Sequence, residues 1–398
     1  MESLQTITVP DCQQAHDSVL IDTYQSHITS LLLTPEDVTK TIPNRITSMT
    51  FHPSHSRTII CTGDKYGYVS IWDAGERGSQ PSRVNMGGQD GVYLYKLHSS
   101  NVCALHVAPE EPQRIWSVSY DGSVRFSDLE QAHFACAHQS EVHSFTMAAF
   151  GQATNSACGI SNLLTCTYKG SVCCLDARAG GIQWTNTVNI DISQKCYKLN
   201  TIQLHPTVEH MVITAGANGH VGVFDLRQRG SSTWKAVSLL TGHHNSVYSA
   251  QVSPNGQYLV SVGVDDTVKL WYDFMVPSEK QMISYAHNNQ TGRWLSTFQP
   301  VFDPKHPHAF FLGSMGTPRN VELHVISSLS PSPCTDSTPS TSSKKRKAPL
   351  EPRGNFGLNP CIRMMGEELK SVCSRLCVHP SRNMVAGGNS SGKVFLFR

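Results

Sequence analysis

The sequence predicts an all-β fold, a single seven-bladed propeller, on three observations. Apolar stripes of helical period are nearly absent, whereas short apolar runs bounded by Gly, Pro, Asn and Asp recur along the 398 residues. One stretch, GHHNSVYSAQVSPNGQYLVSVGVDDTVKLWYD at 242–273, contains three such runs, Val247–Val252, Tyr258–Gly263 and Val268–Tyr272. Turn residues separate them, and a Gly-His opening with Trp271 near the end marks the stretch as a propeller blade. The unit then repeats, as it must, because a lone four-stranded blade leaves its faces uncovered.

The units follow in order. Residues 1–27 are polar, contain Pro10 and show no period, so they are expected to be poorly ordered. His27–Leu33 (HITSLLL) reads as a strand without a sequence neighbour, and Thr34–Asp37 as the start of one helical turn. No longer helical segment is expected in residues 1–43. Blade one opens at Arg45 (RITSMTFHP) and closes at Asp73 (YVSIWD). Blade two runs from Asn101 to Asp128, blade three from Glu141 to Arg178, and blade four from Lys198 to Arg227. Blade five is the stretch at 242–273. Blade six is degenerate, with RWLSTFQPVFDP from Arg293, AFFLGS from Ala309 and NVELHVI ending at Ile326. Blade seven has SVCSRLCVHP from Ser371 and GKVFLF ending at Phe397. The spacing is at or slightly above the roughly 40–45 residues of a WD repeat. Blade seven ends one strand short, so His27–Leu33 is assigned to close the ring, which removes exposed sheet edges. The propeller thus occupies 28–326 and 361–398.

Between them, Ser327–Pro360 is rich in Ser, Thr and Pro and too poor in large apolar residues to offset its ordering entropy. It is expected to be a disordered loop inserted between blades six and seven. Its basic run Lys344-Lys345-Arg346-Lys347 reads as a solvated cluster or as a nuclear import signal.

The formal charge of +2 does not by itself imply nucleic acid. The 19 histidines mostly sit beside turns or before prolines, as in His52-Pro53, His205-Pro206 and His379-Pro380, which argues for turn structure over metal ligation. The 13 cysteines lack paired spacing, and Cys61, Cys103, Cys166 and Cys174 fall inside strands as small hydrophobes. With no secretory signal or apolar span, an intracellular chain with reduced thiols and no membrane partner is expected. Neither a phosphate-binding Gly loop, nor Gly-x-Ser-x-Gly, nor His-Glu-x-x-His occurs, so no enzyme, metal or cofactor is expected. Asp121 and Asp265, in the turn between second and third strands, are given His98 and His243 as hydrogen-bonding partners.

The informative positions are those where this turn departs from the repeat. In place of Asp121 and Asp265 the other blades carry Tyr66, Lys169, Asn218 and Ser391, preceded by Lys65, Tyr168, Ala217 and Ser390. In a propeller these turns share one end with the residues that open each first strand. That end therefore collects Arg45, Lys65, Lys169, Lys198 and Arg293 with Tyr66, Tyr120, Tyr168 and Trp294. Lys and Arg contact phosphates while aromatics stack on bases, so duplex DNA or chromatin is one partner class. An acidic peptide is the other. At the opposite end, Arg227 follows Asp225 by two residues, and Arg178 likewise follows Asp176. The pairing reads as a local salt bridge or as a docking point for a protein.

Arg45–Pro53 (RITSMTFHP), Gly63-Asp64-Lys65-Tyr66-Gly67, Phe224–Gln228 (FDLRQ), His287–Phe298 (HNNQTGRWLSTF) and Val385–Gly392 (VAGGNSSG) together resemble a family. It is the WD-repeat damaged-DNA-binding propellers, and the last two segments are similar to the relatives of the small damage-binding subunit. The resemblance covers residues 35–398 apart from the insertion. It implies a nuclear seven-bladed WD-repeat propeller that binds damaged or chromatin DNA on one face. It also implies a substrate receptor that joins a cullin-RING ubiquitin ligase through a damage-binding adaptor, with histones as further partners. Arg45 and Lys65 match DNA-facing positions, and Arg227 matches the Arg of the adaptor-docking WD-x-Arg motif with Phe224 in place of Trp. Arg178 is a second match, with Leu175 in the Trp place. The family's aromatic wedge falls at Gly292-Arg293-Trp294, where its sequence is not reproduced and Trp294 is the aromatic present. The alternative is a scaffold that reads acidic peptides or histones without touching DNA.

Overall fold

The computed structural model describes residues 22–75, 91–108, 111–129, 133–150, 162–176, 181–189, 197–228, 233–276, 281–326 and 358–398. Its strands pair in seven sheets, each built on a four-stranded antiparallel meander. Blade five shows the plan: Val247–Val252, Tyr258–Gly263, Thr267–Tyr272 and Gln281–Ala286, from the inner strand outward. Every residue of Tyr258–Gly263 is buried, as is every residue of Val385–Gly388 in blade seven, because a middle strand has a blade against each face. The outer strand His133–Gln139 of blade two, by contrast, has no fully buried residue. Blade three gains a fifth strand, Thr233–Lys235, parallel to its outer strand Gly181–Asn189.

The core lies between blades rather than within them. Seven apolar clusters sit at the seven seams, from Cys61, Val107 and Ile115 between blades one and two to Phe51, Trp72, Ala386 and Leu396 between seven and one. No seam is dispensable, since each blade covers its neighbour.

An N-terminal strand does close the ring, but it is Val38–Lys40, not His27–Leu33. Val38–Lys40 pairs antiparallel with Lys393–Phe397, Val38 opposite Phe395 and Lys40 opposite Lys393. Buried Asp37 binds Arg398 at 2.7 Å beside it, and Leu32 and Arg398 exchange two backbone hydrogen bonds of 3.1 Å. Residues 22–29 are helical, against expectation. Tyr24, Ile28 and Leu31 recur at helical spacing, and Tyr24 and Ile28 are buried in the seam of blades six and seven. The Tyr24 hydroxyl donates to Asp303 at 2.8 Å. That period outweighs the apolar run Leu31–Leu33, which is followed by the one-turn helix Pro35–Asp37.

The insertion also sits elsewhere than expected. Leu358–Met364 is the outer strand of blade six, pairing with Val321–Ile326, so residues 358–360 are strand and 361–364 belong to blade six. The Ser/Pro-rich stretch therefore joins the third and fourth strands of blade six. Its remainder, including Lys344, Lys345, Arg346 and Lys347, lies outside the described residues, as do residues 1–21. Cys61, Cys103, Cys136, Cys166, Cys173, Cys174, Cys373 and Cys377 are free thiols, and all of these but Cys136 are buried. Burial pushes the Cys61 and Cys166 thiols up to about 12.

The Asp-bearing turns are structural. In blade five, Trp271 Nε1–H donates to Ser261 Oγ at 2.8 Å, and Ser261 Oγ lies 2.8 Å from His243 Nε2. His243 Nδ1 lies 3.0 Å from Asp265 Oδ1, which also accepts from Thr267 Oγ1 at 2.8 Å. A carboxylate only accepts, so Nδ1 carries the proton and Ser261 donates to Nε2. In blade two the link is relayed: His98 Nδ1 meets Ser123 Oγ at 2.7 Å, and Ser123 donates to Asp121 at 2.6 Å. The next turn position is left-handed. Blades one to four and seven fill it with Gly67, Gly122, Gly170, Gly219 and Gly392, blade five with Asp266 at φ 55°. Hydrogen bonds to Asp266 from the Asn289 amide and Gln290 Nε2, both 2.9 Å, hold this costlier residue.

Burial keeps His243, His205 and His287 below the ordinary 6.5, and burial with nearby Arg382 takes His379 down to about 4. Burial opposes ionisation of Asp265 and Glu322, but hydrogen bonds from His243 and His324 respectively hold both at about 2. The unfolded histidines bind protons first as pH falls, so their stabilisation is complete above about pH 6.5 and is lost toward pH 4. The two carboxylates add a second loss from below about pH 4.5 toward 2. Urea midpoints should hold from pH 7.5 to about 6.5 and then fall toward pH 5, and a flat profile down to pH 5 would contradict this assignment of the histidines.

Candidate nucleic-acid interface

One end of the ring is assembled by a bond that recurs from blade to blade. The residue after the second strand donates its N–H to the carbonyl of the residue that opens the first strand. The pairs are Lys65 to Arg45 at 3.2 Å, Tyr120 to Asn101 at 2.9 Å, Tyr168 to Ser144 at 3.1 Å, and Ala217 to Lys198 at 2.9 Å. Turn residues and strand openers therefore share a rim, and the sequence-derived candidates lie on it.

Their surroundings differ. Tyr66 and Tyr168 are exposed by 52% and 54%, and Trp294 by 84%, far more than an aromatic side chain retains when packing decides its place. Tyr120 stands edge-on to Tyr168 with ring centres 6.2 Å apart. Lys198 Nζ lies 5.7 Å from the Tyr168 ring and Lys65 Nζ 5.6 Å from Tyr66, cation–π contacts that leave the ammonium groups in water. Lys169 is exposed beside His143, whose pKa is lowered by burial and then by that lysine.

Arg45 has a different part to play. It is half-buried, and its Nη1 donates to the carbonyls of Arg293 at 2.6 Å and Leu295 at 3.1 Å. Ser296 Oγ donates to the Ile46 carbonyl at 2.6 Å. Blade one thus reaches past blade seven and pins the loop entering blade six. Trp294 and Arg293 are presented on that loop. Arg45 is in the first place an anchor of this loop.

The rim carboxylates are mostly consumed. Asp64 is buried and accepts from Asn44 Nδ2 and from the Tyr66 and Tyr68 amides. Asp121 is held well below the usual carboxylate range because nearby His98 and hydrogen bonds from Ser123 and the Ser99 amide outweigh its burial. Glu141 is exposed. Against it stand exposed Lys65, Lys96, Lys169 and Lys198, so the sector from blade one to blade four is basic, and exposed Arg293 adds a further cation on the loop entering blade six. Lys96 escaped sequence reasoning because it ends the outer strand Val92–Lys96, for which no register existed; its Nζ donates to the Tyr66 carbonyl. Val142, 67% exposed in the turn leading into blade three, was missed too and carries no motif.

At the other end, the strand His220–Asp225 leads into a short 3-10 turn, Leu226–Gln228. Arg227 makes a two-pronged contact with Asp225, Nη2 to Oδ2 at 2.8 Å and Nε to Oδ1 at 3.0 Å, while its side chain stays 62% exposed. The Arg227 hydrogen bonds hold the Asp225 carboxyl below its ordinary value. Buried Trp234 donates Nε1–H to the Asp225 carbonyl at 3.0 Å, fixing the turn from beneath. Arg178 lies outside the described residues.

Comparison with known proteins adds two findings. The family "WD domain, G-beta repeat" matches residues 36–73 and 234–272. Across 376 residues the chain is 31% identical to WD repeat-containing protein 76 of Xenopus laevis, covering 94% of this chain and 56% of that one. The mouse protein of the same name is 30% identical, covering 95% and 53%. DNA damage-binding protein cmr1 of Neurospora crassa is 26% identical over 388 residues, covering 90% and 65%. The chain therefore spans a little over half the length of the first two relatives.

The Arg45 anchor makes a separable prediction. Arg45→Gln should speed amide exchange at 291–296 about tenfold or more, since hydrogen bonds from a charged donor contribute about 1.5–3 kcal/mol. Lys65→Gln should leave those amides unchanged, and equal acceleration by both would refute the anchoring role.

Proposed function

We propose that this chain, a WD40-repeat propeller similar to WD repeat-containing protein 76 and to the DNA damage-binding cmr1 proteins, has a nuclear DNA- and chromatin-binding role in the damage response. In this reading it is a non-enzymatic receptor. The observation that carries the reading is the rim where exposed Lys65, Lys169, Lys198 and Arg293 alternate with exposed Tyr66, Tyr168 and Trp294. Lysines spaced around such a rim track phosphates without reading sequence, and the aromatic faces give bases a stacking surface. Trp294, on its pinned loop, serves as the stacking or wedging residue. The fungal relatives are named for DNA damage binding, in keeping with this use.

The opposite end supplies the second half of the proposal. Arg227, held ready by Asp225, docks on the damage-binding adaptor of a cullin-RING ligase, which makes the propeller a substrate receptor with chromatin proteins, histones among them, within reach. A guanidinium already paired in its own chain loses less side-chain entropy on docking than a free one.

Two experiments test these halves separately. Duplex affinity should fall linearly in log–log form with salt. Lys65→Glu with Lys169→Glu should weaken it about tenfold or more and reduce the slope by about one for each phosphate no longer neutralised. Affinity indifferent to both salt and charge reversal would favour the protein-only scaffold. For docking, Arg227→Ala should lower adaptor co-purification from nuclei while leaving duplex affinity as it was. Undiminished recovery would remove Arg227 from that role.

A further inference from the structure

A cavity of about 440 Å³ runs along the inner strands. Its lining includes Thr47, Ser48, Met147, Gln299 and Arg375. Arg375 is out of character there. Paired with Gly388, it holds the register that Ser48 holds opposite Gly63, Ala104 opposite Val118, Met147 opposite Cys166, Thr201 opposite Ala215, and Ser249 opposite Val262. Every other member of that series is uncharged.

Arg375 is partly buried, and its guanidinium is held by neutral acceptors. Nε donates to the Thr47 carbonyl at 2.7 Å, and Nη1 to the Thr297 carbonyl at 2.6 Å and Gln299 Oε1 at 3.3 Å. Among the described residues no carboxylate pairs with it. The charged neighbour that acts on it is another cation, Arg45, and burial together with that repulsion brings Arg375 down to about 10. The Arg45 Nε is itself buried and without a hydrogen-bond partner among the described residues. Glu209 also lines the cavity, but it follows the end of its inner strand and so stands at the far mouth. Arg45 and Arg375 grip carbonyls two residues apart, those of Leu295 and Thr297, so two cations share a neighbourhood of neutral acceptors, a costly arrangement that a bound anion relieves.

We infer that the mouth of the central channel is an oxyanion site, with Arg375 in its wall and Arg45 close behind, and that it takes a terminal or free phosphate group. A dianion matches two fixed positive charges better than a carboxylate does. Arg375 lies one register step inside the rim, so the site favours a phosphate at the end of a chain, or a free one, over the backbone of an unbroken strand. The site does not depend on the rim binding DNA.

Inorganic phosphate is the first probe, titrated into the whole chain against acetate and chloride at matched ionic strength, with thermal midpoint and equilibrium dialysis as readouts. The wild type should bind phosphate saturably and be stabilised by it beyond acetate. Arg375→Gln should weaken that binding about tenfold or more, the scale of removing one charge-assisted bond. Arg375→Lys should retain part of it. Equal stabilisation by phosphate and acetate in the wild type overturns the site whether or not any variant folds, and so does unchanged phosphate binding in Arg375→Gln. A nucleoside 5′-monophosphate, and duplexes with and without 5′-phosphates, then distinguish a free ligand from a strand end. Loss of duplex affinity in Lys65→Glu with Lys169→Glu while phosphate still binds separates the rim from this site. Failure of phosphate binding with intact duplex affinity overturns the oxyanion site alone.

Discussion

Ring closure is the constraint on which the rest of this fold depends. Each seam needs two blades, so seven blades leave no apolar face uncovered only when the last meets the first. The seam of Phe51, Trp72, Ala386 and Leu396 fills that junction, and three residues, Val38–Lys40, tie the N-terminal chain into blade seven with the Asp37–Arg398 ion pair beside them. The partnership joins chain positions far apart in sequence, and it is reinforced by the helix at 22–29, which packs over the same side of the ring. Stability and function part company here: seams take the apolar residues, and the two ends of the ring are left free to vary.

The variation follows a rule. Where a rim turn keeps its Asp and a nearby His, as in blades two and five, the side chains are spent on the blade itself through linked hydrogen bonds. Where that pattern is broken, as at Lys65-Tyr66 and Tyr168-Lys169, the side chains point into water and are available to a partner. Blade five, with its complete chain from Trp271 to Asp265, is thus the most regular blade and the least informative about binding. Arg227 shows the same division at the other end, its carboxylate partner fixed by the fold and its guanidinium still half in solvent.

Much of this was legible in the sequence because propeller strands repeat a short-range pattern. Inner, second and third strands are joined by tight turns, so Gly67, Gly122 and Gly170 set a register that ran through the chain. Outer strands have no such punctuation. Leu358–Met364 was therefore missed beyond the Ser/Pro-rich stretch, and with it the place of the insertion inside blade six. Lys96 was hidden for the same reason. The helix at 22–29 was obscured by an apolar run that looked stronger than the i, i+4 pair Tyr24 and Ile28. Arg45 was found as a rim cation, but its grip on the Arg293 and Leu295 carbonyls joins blades one and six, a contact between residues almost 250 positions apart. Arg375 gave no signal at all: only the pairing register shows that its equivalents are uncharged.

The pairing of Ile326 with Leu358 has a practical consequence. Whatever chain lies between them begins and ends at neighbouring positions of one hairpin, so the blade fixes both ends irrespective of the length in between. Closure entropy grows only as the logarithm of loop length. This edge of blade six is accordingly the place in the molecule where evolution, or an engineer grafting a fluorescent reporter, can change chain length at little thermodynamic cost and without shifting a single strand.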